Sequence, residues 1–151
     1  MAYYTVADLE KITIHEYDNL LFEKLGTTDM DIIEKDLDTY FPFKDADAFR
    51  QGACQLFADA LKKRFGHKVY IIESGNAFHI FCKSEDGRLY IDVRGKTPSF
   101  KEFVQGLFGI NNETDNSQEY KFVDSDFNQP FHDIGRKFAE AIIRNDEERY
   151  A

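Results

Sequence analysis

Three observations in the sequence predict an α+β fold in which helices flank a small antiparallel β-sheet. A continuous apolar stripe at helical spacing runs through GACQLFADALKKRFG. The period then drops to two in HKVYIIES, AFHIFCKS and RLYIDVRG, three short runs separated by turn residues. Helical spacing returns after Thr97 and again from about Asp133. The 151 residues suit one domain, 1–151, and no repeat, low-complexity tract or Pro/Gly/Ser linker divides them. A hydrophobic fraction of 42%, with 15 Phe and 8 Tyr, is enough to build a core.

The elements follow in order. Thr5 and Asp8 have capping-box spacing, and a second helical stretch with Tyr17, Leu20, Leu21 and Leu25 stops at Gly26. Thr28 and Asp31 repeat the box ahead of Met30, Ile33, Leu37 and Tyr40, and Pro42 ends that helix. In the clearest helix Cys54, Phe57, Ala58, Leu61 and Phe65 form one stripe, with Gly66 as its C-cap. Ser74-Gly75-Asn76 and Ser84-Glu85-Asp86-Gly87 supply the turns between strands. Thr97, Pro98 and the Ser99/Glu102 pair open a helix carrying Phe100, Phe103, Val104 and Leu107. A polar loop over 111–118 leads to a short strand, YKFV, and then to a last helix with Ile134, Phe138, Ala141 and Ile142 facing inwards.

Charge narrows the partners. The net charge of −9 argues against nucleic-acid binding, because phosphates would be repelled. Residues 1–48 hold 12 acids and 4 bases, residues 49–110 hold 6 and 10, and residues 111–151 hold 10 and 5. Two acidic arms therefore flank a mildly basic middle and could engage a basic protein surface. The apolar runs are too short to cross a bilayer, so no membrane association is expected. The acidic start lacks the apolar core of a signal peptide, and two cysteines suit a reducing cytoplasm with free thiols.

Strand parity singles out a constellation. With a four-residue loop from Ser84 to Gly87, His79 lies opposite Asp92; with a two-residue turn at Asp86-Gly87, Asp92 lies opposite Phe81 and diagonal to His79. Either register puts His79 and Asp92 on one face, because the side-chain period is two. The other face carries Phe78, Ile80 and Cys82 against Leu89, Ile91 and Val93, all apolar, so Cys82 is expected to be an inert core thiol. If the Cys54 helix packs on the His79/Asp92 face, thiol, imidazole and carboxylate form a line of nucleophile, base and orienting group. A helix N-terminus beside the thiol would favour both a thiolate and an oxyanion.

Other chemistry is disfavoured. His79 and Cys82, three apart on a strand, point to opposite faces and cannot chelate together. There is no C-x-x-C, no H-E-x-x-H and no Gly-rich phosphate loop. Asp29, Asp31, Glu34, Asp36 and Asp38 sit on a helical pattern without the glycine of a calcium loop. His15, His67 and His132 have no partner signal. Neither a metal nor a cofactor is expected.

Gly52-Ala53-Cys54 leading into FADALKKRFG, then His79, Asp86-Gly87-Arg88, Tyr90-Ile91-Asp92 and Gly95, resembles the papain-like cysteine fold in its transglutaminase-like arrangement, of the small type found in bacteria and phages. The resemblance covers about residues 50–96. It implies Cys54 as nucleophile, His79 as general base and acid, and Asp92 as orienting carboxylate. It also implies an oxyanion hole built from the Cys54 N–H and a second donor, for which Gln51 and Gln55 are the candidates. No Trp flanks the cysteine, as one often does in transglutaminases. The expected activity is a cysteine hydrolase or acyltransferase acting on an amide of a protein or peptide through a thioester; the alternative is a non-catalytic acidic protein on the same fold that binds a basic partner.

Overall fold

The computed structural model describes residues 3–13, 45–50, 52–74, 77–105, 107, 118–121 and 133–151. The second and third expected helices, with the acidic run Asp29–Asp38, lie outside these residues. Helix α1 (Val6–Glu10) carries the expected capping box: Asp8 N–H donates to Thr5 Oγ1 at 3.1 Å, and Thr5 N–H donates to Asp8 Oδ2 at 2.9 Å. A 3₁₀ turn over Ala46–Arg50 leads into α2 (Cys54–Phe65), which Gly66 closes at φ 74°, a left-handed conformation that glycine adopts without steric cost.

Strands β1 (Lys68–Ser74), β2 (Ala77–Lys83), β3 (Tyr90–Asp92), β4 (Gly95–Thr97) and β5 (Gln118–Lys121) form one antiparallel sheet in the order β4-β3-β2-β1-β5. Helix α3 (Phe100–Val104) follows β4, with Ser99 as its N-cap accepting from Glu102 N–H. The chain ends in α4 (Asp133–Asn145) and α5 (Glu147–Tyr150). Mixed α+β, with an antiparallel sheet, is the class expected.

The sheet is covered on both faces, and strand parity decides which residue meets which layer. Val69, Ile80, Cys82, Ile91 and Val93 face the larger core, against Leu56, Phe57 and Leu61 of α2, Phe138, Ile142 and Ile143 of α4, and Tyr150. Ile72 and Phe81 face a second core with Phe103, Val104 and Leu107, bordered by Tyr70, Tyr90 and Phe100. Each fully buried Phe contributes about 1.5–3 kcal/mol. The inner face of α4 carries Phe138, Ala139, Ile142 and Ile143, while Ala141 is only half-buried.

Three expectations are corrected. The third strand-like run is not one strand: it breaks at Val93-Arg94, where the chain turns so that Asp92 pairs with Gly95. The strand placed at YKFV lies two residues earlier. Phe78, expected in the core, is 58% exposed, because β3 pairs with β2 only at Cys82 and Lys83 and leaves the start of β2 uncovered.

Candidate active site

The β2–β3 register is the one in which Asp92 is diagonal to His79: Cys82 pairs with Ile91 and Lys83 with Tyr90. The turn is wider than the two residues expected with that register, since Ser84 N–H donates to Leu89 O at 3.1 Å and Gly87 N–H to Ser84 O at 2.8 Å. His79 and Asp92 share a face, and His79 Nε2 lies 3.0 Å from Asp92 Oδ2. An ionised carboxylate only accepts, so Nε2 carries the proton in this contact.

The position of α2 differs from the expectation. The helix packs on the Ile80/Cys82 face, with Cys82 Sγ donating to Ala58 O at 3.3 Å, and not on the face of His79 and Asp92. That second face is taken by the aromatic layer: Phe103 of α3 packs 5.9 Å from the His79 ring, and Phe81 stacks at 6.4 Å. Cys54 still meets His79 because it is the first residue of α2. Its sulfur lies beside β2 past the last β3 pairing, where Ile80 N–H donates to Sγ at 3.3 Å. From that edge the thiol is close enough to the imidazole for the two to interact electrostatically. With Nε2 committed to Asp92, Nδ1 is the nitrogen left to face the sulfur; it is buried and makes no hydrogen bond of good geometry.

The charges are strongly coupled. Burial disfavours the charged His79 ring, but hydrogen bonds and charges from Asp92 and Cys54 outweigh it and raise the ring to about 9. Burial likewise opposes a charged Asp92, and the Arg94 guanidinium with His79 reverses this, holding the carboxyl well below its usual range. At neutral pH the site therefore holds a carboxylate and an imidazolium. Burial, reinforced by the charge of Asp59, pushes the Cys82 thiol well above its usual range. Both cysteines are free.

Arg94 is the residue that sequence reasoning missed. Its Nη2 donates to Asp92 Oδ2 at 2.7 Å, its Nε lies 3.1 and 3.2 Å from the two carboxylate oxygens, and its backbone N–H donates to Oδ1 at 2.9 Å. The only available signal was the Asp92-Val93-Arg94-Gly95 run, which reads as the end of a strand. Tyr3 covers the Arg94 guanidinium at 5.0 Å, and its buried hydroxyl sits beside Asp92 without a hydrogen bond of good geometry.

The oxyanion candidates fare differently. Gln51 lies outside the described residues, and Gln55 is half-buried in the first turn of α2. Ala53, the N-cap, supplies no side-chain bond to the first-turn amides. His67 donates from Nε2 to Tyr150 O at 2.8 Å, a structural tie to the C-terminal helix. Among the described residues no cluster of His, Cys, Asp or Glu is placed to hold a metal, and no helix is long and apolar enough to cross a membrane. No protein-family model, curated protein or solved structure matches the chain.

Proposed function

We propose that this chain is a thiol enzyme of papain-like, transglutaminase-like build, a cysteine hydrolase or acyltransferase acting on an amide carbonyl of a protein or peptide. The observation that carries the reading is the order Cys54–His79–Asp92, with the thiol in the first turn of a helix, the imidazole beside it and electrostatically coupled to it, and the carboxylate on the far ring nitrogen.

Cys54 attacks the carbonyl carbon as the thiolate, its proton having passed to His79, and the electron pair of the carbonyl moves to oxygen. The first-turn amides of α2, left without a side-chain cap, support an oxyanion there. When the tetrahedral adduct collapses, the C–N bond breaks and the imidazolium gives its proton to the leaving amine. The product is a thioester on Cys54. Neutral His79 then takes a proton from water or an amine as its oxygen or nitrogen bonds to the thioester carbonyl carbon. The C–S bond breaks and the thiolate and imidazolium are restored, so water gives hydrolysis or deamidation and an amine gives transamidation. Asp92 orients the ring throughout and remains ionised, because Arg94 stabilises its charge.

Burial bears on access. Cys54 is 3% exposed, His79 2% and Asp92 3%, so an acyl donor reaches the sulfur only when the groups over it move. The same burial favours a second reading, a non-catalytic protein whose acidic arms, 1–48 and 111–151, engage a basic partner. Binding of that kind weakens steeply with ionic strength and is indifferent to Cys54. The test is a panel of peptide and glutaminyl amides, with and without a primary amine, read by mass spectrometry. Cys54→Ala is expected to abolish turnover while leaving the protein folded; equal turnover by wild type and variant would rule out the thioester route.

A further inference from the structure

We propose that Arg94 is a positioning residue for the triad: its planar fork fixes the orientation from which Asp92 Oδ2 meets His79 Nε2. The consequence for acyl transfer rests on the function proposed above; the geometry of the pair does not.

Arg94 makes most of the bonds that hold the carboxylate. Without its side chain, Oδ1 keeps only the Arg94 backbone N–H and Oδ2 keeps only His79. The fork is itself fixed at its far side, where Nη1 donates to Gln105 O at 3.0 Å and Nη2 to Phe103 O at 2.8 Å. These are carbonyls at the C-terminal end of α3, where backbone acceptors lack helical partners and a cation is favoured. The guanidinium is also flanked by two rings, Tyr3 at 5.0 Å and Phe103 at 5.3 Å. A side chain tied at this many points has one conformation available, so it transmits a defined orientation to the carboxylate.

Stability alone does not account for the arrangement. Arg94 is 4% exposed, and burying an ion pair is weak as a source of stability compared with apolar residues of similar volume. The pair makes sense where one carboxylate orientation is required. The titratable and charged groups that touch Asp92 or feel its charge are His79 on its own face, Arg94 from the β3–β4 turn and Tyr3 from the N-terminal segment, with Cys82 of β2 and Tyr150 of α5 coupled to it from the other face of the sheet; Cys54 of α2 couples to His79, and Glu102 of α3 adds its charge near Arg94 and Tyr3. Of these, only Arg94 adds a second cation to the His79–Asp92 pair.

The variant Arg94→Lys separates charge from fork, since lysine keeps the cation and loses the planar array of donors. Two quantities are read: the titration midpoint of the His79 ring by NMR, and the rate of iodoacetamide labelling of Cys54 at pH 7. Positioning is expected to lower the midpoint by about a unit and slow labelling about ten-fold. A lower melting temperature with midpoint and rate unchanged would overturn the proposal. Should Arg94→Lys not fold, the wild-type protein decides: the Arg94 Nε–H resonance is expected to shift with the His79 midpoint through their shared carboxylate, and a resonance silent across that titration would overturn it. A wild-type Cys54 as inert as Cys82 would remove the acyl-transfer reading, while the His79 and Arg94 titrations still decide the positioning role.

Discussion

Asp92→Asn keeps the shape of the carboxylate and removes its charge, which tests the electrostatic centre of the site. In the native protein His79 titrates at about 9, against an unfolded value of 6.5. A shift of that size corresponds to roughly 3 kcal/mol of stability. Because the folded pKa is the higher one, this contribution is fully present below pH 6.5 and is lost as pH rises through 9. In Asp92→Asn the largest raising partner is gone; Cys54 still favours a charged ring, while burial and the Arg94 cation oppose it. His79 is then expected to titrate well below 9, so the stability this group contributes below pH 6.5 shrinks. Arg94 is also left buried without its anion, for which a loss of about 3–5 kcal/mol at pH 6 is expected, with the His79 effect contained within it. Urea unfolding at pH 6 and pH 9, with NMR titration of the His79 ring, reads both quantities. A variant whose His79 still titrates near 9, or which loses less than about 1 kcal/mol at pH 6, would refute the reasoning.

Two further outcomes are expected. Cys82→Ala removes a buried thiol that donates only to Ala58 O; a loss of about 1 kcal/mol in urea unfolding and unchanged turnover are expected, and lost turnover in a folded variant would count against an inert Cys82. Gly95→Ala puts a side chain at φ 122°, with its Cβ 3.0 Å from Arg149 Cγ, so a loss of about 1–3 kcal/mol is expected; unaltered stability would show that the β3–β4 turn tolerates a side chain.

Much of this site was legible because periodicity constrains it. The stripe from Cys54 to Phe65, closed by Gly66, needed no tertiary information. Parity placed His79 and Asp92 on one face in both of the registers considered, and the observed register is one of the two. Parity does not say what covers a face. Both faces of this sheet are apolar, Ile80 and Cys82 on one and Phe81, Tyr70 and Tyr90 on the other, so the sequence could not decide which of them α2 would take. The meeting of Cys54 and His79 depends instead on where β3 stops pairing with β2, a tertiary feature. Arg94 stayed hidden because Val93 and Arg94 carry no turn signature, and an arginine in a basic stretch reads as solvated. Only Gly95, with its positive φ, hinted that the chain reverses there.

The most direct test of the triad is the pH dependence of iodoacetamide labelling, followed separately at Cys54 and Cys82 by mass spectrometry of the folded protein, in wild type and in His79→Ala. The activated arrangement is expected to give labelling of Cys54 at pH 7 about ten-fold or more faster than Cys82, and slower labelling when the imidazole is removed. A Cys54 that stays as unreactive as Cys82 until denaturant unfolds the chain would contradict it, leaving the three side chains as a buried structural network.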